Sequence, residues 1–334
     1  MNNKNIKYKV SVVLCTYNGE KYIREQIDSI LYQTYPIHEI IIQDDCSTDN
    51  TFSILNEYQL KYSIIHVYRN PMNKGVNPNF FNAISKATGD YIAISDQDDI
   101  WENYKLELQI QSIENNLLCG GRSTPFSKGN VPIRIDPRTP NCSLLRQLFI
   151  GTMGGHTLLF HKRLLQLIPD YSDIATIRYY DSILIMVAEA YNSIHIMNKN
   201  LVKQRRHFNA ATYSAPINNK KSISNIWKSI IRTWKYNKLL KPEIKRRCKI
   251  TLDFLKQIKS DEKILKDAIL MLQLYISDSI IDFIYLEYFC FKHYENLFYA
   301  TNINSFTGRI RALYFPISLS DYYRFLLVKD GVVK

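Results

Sequence analysis

Three carboxylates crowd the end of one predicted strand, and this feature constrains the fold most. Residues 91–94 form a short apolar run, typical of a buried strand, and Asp96, Asp98 and Asp99 follow it. Like charges this close raise one another's pKa unless a cation lies between them. Oxygen ligands with room for water suit Mg²⁺ or Mn²⁺, which commonly also bind substrate phosphates. An acidic turn is the alternative; for three acids we favour a metal site.

The first part of the chain alternates between predicted strands and predicted helices. Apolar runs typical of buried strands begin at Val10, Glu39, Ser63 and Tyr91, with helical spacing between them. This alternation implies βαβ units and an α/β fold with a parallel sheet. Ligands of such sheets bind beyond the carboxyl ends of the strands. Polar residues at three strand ends therefore predict one crevice, lined by Thr16, Tyr17, Asn18, Asp44, Asp45 and the three acids.

Several classes of site are excluded by missing motifs. Neither G-x-G-x-x-G nor GxxxxGK[ST] occurs, so a dinucleotide fold and a P-loop are unsupported. The six cysteines lack CxxC spacing and fit reduced structural thiols better than disulfides or a zinc site. No apolar run of about 18 residues appears, and residues 1–9 are too polar for a signal peptide. We therefore expect a cytoplasmic location, or a peripheral one on the inner face of the cell membrane.

Three motifs, in this order and at this spacing, resemble the signature of family 2 glycosyltransferases: Thr16-Tyr17-Asn18-Gly19, Asp44-Asp45-Cys46-Ser47-Thr48-Asp49 and Ser95-Asp96-Gln97-Asp98-Asp99-Ile100-Trp101. The resemblance covers about residues 9–213 and is greatest to the rhamnosyltransferase-like branch. It implies the GT-A fold, with a Rossmann-like, mostly parallel sheet and flanking helices. It also implies an inverting transferase that uses Mn²⁺ or Mg²⁺, a UDP- or dTDP-sugar donor, and a glycan or lipid-linked glycan acceptor of surface polysaccharide synthesis.

The resemblance assigns the donor end of the crevice residue by residue. The nucleoside would lie against Thr16, Tyr17, Asn18, Asp44 and Asp45. A core aromatic remains the alternative for Tyr17, and a helix-capping turn for the two acids. Cys46 stands where relatives usually have Gly, so we expect a changed turn there.

The metal and the diphosphate would be held by residues from both ends of the domain. Asp96 and Asp98 would coordinate the metal, with Asp96 also against the donor and Asp99 beside them. The segment Lys203–Asn209 resembles the family's Tyr-Arg-x-His segment, with Gln204 in place of Tyr. His207 would add a metal ligand and Arg205 would neutralise phosphate charge, unless this is only a solvated basic turn.

The resemblance places the general base at Asp181, at the start of an apolar helix. Tyr180 replaces the family's His, and Ser182-Ile183 replace a small residue and Trp, so a helix cap remains the alternative. His156 is a weak acceptor candidate, and a structural His is the alternative. Four prolines and the pair Gly120-Gly121 predict a loop over residues 119–141.

The charge divides the chain into two predicted parts. Residues 1–214, the catalytic domain, carry 22 Lys and Arg against 20 Asp and Glu; residues 215–334, a mostly helical accessory region, carry 21 against 11. One helical stripe in the second part contains Ile223, Ile226, Trp227, Ile230, Ile231 and Trp234, opposite basic residues. It fits an anionic membrane surface, or packing on the catalytic domain.

Two further functions explain part of the sequence. A nucleic-acid-binding protein would use the basic run 220–249, but it leaves the acidic strand ends without a purpose. A sugar nucleotidyltransferase also uses metal-bound carboxylates, but it typically needs a Gly-rich phosphate loop near the first strand. We therefore expect a glycosyltransferase and no nucleic-acid partner.

Overall fold

The computed structural model describes residues 8–129, 140–151, 153–207, 223–298 and 305–323, with Val131, Ile133 and Ile135. For residues 223–232, 305 and 321 only the backbone is described. Among the described residues, no helix is both long and apolar enough to cross a membrane.

One mixed sheet organises the catalytic half. Its strands, among the described residues, are β1 (Val10–Thr16), β2 (Glu39–Asp44), β3 (Ile65–Arg69), β4 (Tyr91–Ser95), β5 (Ile100–Trp101), β6 (Leu118–Phe126), β7 (Leu159–His161) and β8 (Ile194–Arg205), in the order β3-β2-β1-β4-β7-β6-β8-β5. The pairs β1–β2, β1–β4 and β2–β3 are parallel, as the alternating pattern predicts. The second half adds antiparallel pairs, β4–β7, β6–β7 and β5–β8. The polar ends of β1, β2 and β4 therefore lie side by side.

Helices cover both faces of this sheet. In the catalytic half they are α1 (Ile23–Leu31), α2 (Thr51–Lys61), α3 (Val76–Ser85), α4 (Lys105–Ser112), α5 (Leu144–Gln147), α6 (Leu164–Leu167) and α7 (Tyr180–Ala190), with short 3-10 helices at Gly155–Thr157 and Ile174–Thr176. The C-terminal helices are α8 (Ile223–Leu255), α9 (Lys263–Ile276), α10 (Ile280–Lys292), α11 (Tyr294–Leu297), α12 (Ser305–Leu313) and α13 (Phe315–Tyr322). Ile244, Leu252 and Leu272 of this region share one apolar cluster with Ile94 of β4 and Leu184 of α7. The C-terminal helices thus extend the core on one face of the sheet.

The loop predicted over residues 119–141 is wrong in its first part, because β6 runs from Leu118 to Phe126. Positions 120 and 121 of this strand are glycine because neighbouring side chains fill the space that a Cβ would need. A Cβ at Gly120 would overlap the Met153 side chain, and one at Gly121 would overlap Leu201. Glycine in a strand often marks such a close approach rather than a loop.

The predicted tail features lie partly outside the described residues. The 214/215 boundary falls within residues 208–222, which are outside them, and of the predicted apolar stripe only the Trp234 side chain is described. Trp234 is 59% exposed, so it does not pack into the core.

Lys105 is fully buried under the sheet, which gives a testable pH dependence. Its Nζ donates to Gln109 Oε1 at 2.9 Å and lies 3.8 Å from the centroid of the Trp101 ring. Burial lowers the Lys105 pKa to about 7. Between pH 7 and the pKa of an unfolded lysine, about 10.4, the unfolded chain binds more protons at this site, so stability contributed here rises with pH.

We expect the free energy of unfolding of the parent to rise between pH 7 and 9 relative to Lys105→Met, by up to about 1.4 kcal/mol per pH unit. Denaturant unfolding of both proteins at pH 7, 8 and 9 measures the difference. Parallel pH profiles would show that the Lys105 amine stays protonated in the folded protein over this pH range.

Candidate active site

A cleft of about 1200 Å³ opens where β1, β2 and β4 end. The sequence-predicted residues that line it are Thr16, Tyr17, Asp45, Asp96, Asp98, Asp99, His156, Asp181, Arg205 and His207. Asn18 and Asp44 are not among the lining residues and accept hydrogen bonds from the loop after β2 instead. The structure therefore brings most of the predicted site into one space, although the residues span most of the catalytic half.

Asp44 and Asp45 hold the loops after β2 and before α3 in shape. The buried Asp44 carboxylate accepts from Thr16 Oγ1 at 3.1 Å and from Ser47 N at 3.0 Å, and Arg69 Nε lies 3.3 Å away. Asp45 accepts from Lys74 N at 2.9 Å and Gly75 N at 2.8 Å, fixing the loop before α3. Both carboxylates are occupied by protein donors, and only Asp45 reaches the cleft.

The loops after β1, β2 and β4 are tied together by side chains. Gln97 Oε1 accepts from Tyr17 N at 2.8 Å, and Gln97 Nε2 donates to Tyr17 O at 3.0 Å. Asn18 Oδ1 accepts from Thr48 N at 2.8 Å. The Tyr17 ring is 45% exposed, so it is not a core aromatic. It is free to form a stacking wall of the cleft.

Cys46 has a backbone conformation that favours glycine. Its φ is 64°, in the left-handed region where residues other than glycine are uncommon. A side chain at this position therefore adds local backbone strain to the turn after β2.

The three acids form two groups with two histidines. Asp96 Oδ2 and Asp99 Oδ2 lie 3.4 and 3.7 Å from His156 Nδ1. One ligand atom from each of these three residues lies within 4.8 Å of the others, a spacing that suits one cation. Asp98 Oδ2 lies 2.8 Å from His207 Nε2. The predicted ligands Asp98 and His207 therefore meet, while Asp96 lies closest to a histidine that the sequence pointed to only as an acceptor contact.

The ionisable groups of this cluster have shifted pKa values, because they are buried and because the carboxylates repel one another. Burial raises the pKa of Asp98, and the nearby Asp96 charge raises it further. Burial also raises the pKa of Asp99, against the attraction of His156. For His156 burial opposes the charged ring, but Asp99 and Asp96 raise its pKa above the usual value. His156 Nε2 is buried without a hydrogen-bond partner among the described residues.

Arg205 connects the cluster to the rest of the sheet. Its backbone N donates to Asp99 Oδ1 at 2.9 Å, and its guanidinium donates to Asp98 O and to Glu25 Oε2, each at 2.8 Å. The guanidinium also lies 4.7 Å from the ring centroids of Tyr22 and Phe126. The backbone N and the Nε both hold the segment of Asp98 and Asp99, so the clearest observed role of Arg205 is to position that loop.

Asp181, the second residue of α7, also lines the cleft. Its carboxylate accepts from Gly155 N at 3.1 Å and from Ser182 N at 2.7 Å. Burial raises its pKa to about 6, and these two backbone donors limit the rise. Tyr180, which stands where the family has His, stacks on Phe80 with centroids 3.8 Å apart. A Cβ at Gly155 would overlap the Tyr180 hydroxyl, so the glycine permits this packing.

Comparisons with known proteins agree with this geometry. Residues 11–168 match the sequence model of glycosyl transferase family 2. This part of the chain is similar to family 2 glycosyltransferases. Two curated relatives are the putative teichuronic acid biosynthesis glycosyltransferase TuaG of Bacillus subtilis, 41% identical over 107 residues, and the dTDP-rhamnosyl transferase RfbG of Shigella flexneri, 43% identical over 113. These alignments cover 32% of this chain and 42% and 39% of the two relatives, about two fifths of their length.

A solved structure matches nearly the whole chain. Residues 1–349 of S. aureus TarS, in complex with UDP-GlcNAc, superpose with a TM-score of 0.56 at 16% identity, covering 95% of this chain and 91% of that one. At this identity the likeness shows the fold alone. The GT-A fold with C-terminal helices, which the resemblance implied, is confirmed.

Residues 11–168, which match the family model, do not line the cleft by themselves. Arg247 of α8 and Tyr322 and Tyr323 at α13 line it as well. Tyr323 Oη donates to Phe149 O at 3.3 Å, and Arg247 Nη1 to Ile177 O at 3.5 Å. Sequence reasoning missed these three residues. The C-terminal region is helical and rich in aromatic residues, and no motif in it indicates which side chains reach the cleft.

Arg206 is a further cleft residue that the sequence analysis did not single out. It follows β8 between Arg205 and His207, lines the cleft, and is partly exposed. Its position between two predicted site residues, Arg205 and His207, was the available signal.

Proposed function

We propose that this protein is an inverting, metal-dependent glycosyltransferase. It would move one sugar from a UDP- or dTDP-sugar to a hydroxyl of a glycan or lipid-linked glycan, in cell-surface polysaccharide synthesis. The observation that carries the proposal is that one cleft is lined both by the acid cluster Asp96, Asp98 and Asp99 and by the partly buried carboxylate Asp181. TuaG and RfbG, whose names give teichuronic acid synthesis and rhamnosyl transfer, support the substrate class.

The acid cluster fits a divalent cation. Carboxylates whose pKa values are raised by burial and repulsion, beside two imidazoles, offer the oxygen and nitrogen donors that Mn²⁺ or Mg²⁺ accept. Asp96 and Asp98 would hold the ion, with His207 or His156 as the nitrogen ligand. A bound ion would stabilise the charge of the departing diphosphate as a Lewis acid. Tyr17 would pack on the nucleoside, and Asp45 would shape its pocket.

Asp181 suits the other half of the reaction. An inverting transfer is one displacement, so one carboxylate that removes the proton of the attacking hydroxyl suffices. The backbone donors Gly155 N and Ser182 N fix the carboxylate in the cleft, which Tyr322 and Arg247 also line. We assign the acceptor to the part of the cleft beside Asp181.

A donor screen tests the proposal directly. We expect one of UDP-, dTDP- or GDP-sugars to raise the melting temperature only with Mn²⁺ or Mg²⁺, and at 100 times its Kd to add about 2.7 kcal/mol of stability. The same donor should release nucleoside diphosphate. Release of pyrophosphate instead would indicate a nucleotidyltransferase, and retention on DNA equal to that on anionic vesicles would indicate nucleic-acid binding.

A further inference from the structure

Helix α10 has an apolar face that the rest of the described chain leaves uncovered. Ten of its 13 residues are apolar or aromatic. Leu286, Phe289 and Cys290 are buried against the neighbouring helices. The opposite side, which we call the α10 face, exposes Ile280, Ile281, Ile284, Tyr285 and Tyr288 at 78, 67, 59, 61 and 62%. A helix that is apolar all round is normally buried, and a contiguous exposed patch marks an interaction site.

The α10 face is continuous and free of acids. At 3.6 residues per turn its five residues span an arc of roughly 140°. The acids of the helix, Asp282 and Glu287, lie outside this arc, and Asp282 accepts from Ser277 Oγ. A cavity of about 280 Å³, lined by Ile280, Phe283, Trp234 and Lys241, joins the face to α8. The exposed Trp234 indole therefore extends the same surface.

Basic side chains border this surface on α8. Lys235, Lys238 and Lys241 are exposed within two turns of Trp234. Asp278, an exposed acid nearby, is paired with Lys245. Apolar and aromatic residues beside exposed lysines are the composition of a surface that enters the headgroup region of an anionic bilayer, where Trp and Tyr rings are favoured.

We propose that the α10 face and Trp234 dock this protein on an anionic lipid bilayer. The charge selects a bilayer over a second copy of the chain, since a two-fold interface would place the same lysines of both copies together. The surface differs from the one expected from the sequence, because its apolar part is α10 rather than the α8 stripe. The proposal does not rest on the transferase activity.

Flotation of the full chain with lipid vesicles tests the docking. We expect binding to phosphatidylcholine vesicles with about 30% phosphatidylglycerol, little binding to pure phosphatidylcholine, and release by added salt. Ile281→Asn with Ile284→Asn should weaken binding at least about tenfold, because two apolar side chains no longer leave water. Leu60→Asn is the matched control: Leu60 is 89% exposed on α2, and its replacement should change nothing.

A second variant guards against misfolding of the first. Lys238→Gln with Lys241→Gln should weaken binding about tenfold while keeping the melting temperature of the parent. The proposal is overturned if the parent does not float with anionic vesicles, or if both double variants bind like the parent. It is also overturned if the parent is a dimer in solution that the two Ile replacements dissociate.

Discussion

Replacing Asp181 with Asn should leave a folded protein that binds the donor but transfers sugar about 10²–10⁴-fold more slowly, the range typical of a lost general base. Asn fits the same space but cannot accept the hydroxyl proton. Burial raises the pKa of the Asp181 carboxyl to about 6. In the parent, kcat/KM should therefore fall about tenfold per pH unit below 6 and level off above it. The residual activity of the variant should lack this limb.

The same replacement should make the protein more stable at neutral pH. The folded Asp181 holds its proton up to about pH 6, and an unfolded Asp only to about 3.9, so the folded state binds more protons between these values. Stability contributed by this group is full below pH 4 and is lost as pH rises through 6. Asn removes that loss, but it keeps only one of the two oxygens that accept from Gly155 N and Ser182 N. We expect a net gain of about 1 kcal/mol.

Glu189→Gln is the matched control, on the same helix α7. Burial raises the pKa of Glu189 to about 7, against a hydrogen bond from Leu144 N, and the residue lies outside the cleft lining. Its replacement should stabilise the protein in the same direction and leave transfer unchanged. Thermal melts and donor turnover of the two variants separate the roles. Near-parent turnover in Asp181→Asn, or equal slowing in both variants, would remove Asp181 as the base.

The sequence predicted the parallel part of the sheet because its signals are local. Strands β1, β2 and β4 are buried on both sides, so each is a short apolar run, and each polar end follows at once. Strand β6, which is parallel to β8 and antiparallel to β7, was missed because Gly120 and Gly121 resemble a loop sequence. Their reason for being glycine is contact with Met153 and Leu201, which are distant in sequence.

The sequence predicted which residues form the candidate site, but not which hydrogen-bond and ion-pair partners they have. Asp44 and Arg205 were expected against the donor, and the structure shows them bound to loops and to Glu25. Whether a carboxylate faces ligand or protein depends on backbone donors such as Lys74 N and Gly75 N, which no motif displays. The pairing of Asp96 and Asp99 with His156 likewise depends on the 3-10 helix Gly155–Thr157 reaching β4, a contact between distant segments.

Asp98→Asn should abolish the stabilisation by divalent metal and most of the metal-dependent transfer, which is the second large effect that we expect. The pKa of Asp98 is raised by burial and by Asp96. A cation that neutralises the carboxylate therefore stabilises the parent, whereas the neutral Asn of the variant gains no such stability. We expect Mn²⁺ with the screened donor to raise the melting temperature of the parent only, and transfer in the variant to fall at least about 100-fold. Asp90→Asn, just before the opposite end of β4, is the matched control. Its carboxylate accepts from Lys9 N at 2.8 Å, and it should keep metal-dependent transfer.

The two histidines decide which group of acids holds the ion. If the ion lies between Asp96 and Asp98, His207→Ala should raise the Mn²⁺ concentration needed for half-maximal transfer, because His207 Nε2 lies 2.8 Å from Asp98. His156→Ala should then act mainly on stability, since it leaves Asp99 buried beside Asp96 without its partner. If the ion lies at Asp96, Asp99 and His156, the two variants should exchange these effects. Metal titrations of transfer and of the melting temperature distinguish the outcomes, and a metal requirement unchanged in both variants would exclude both histidines as ligands.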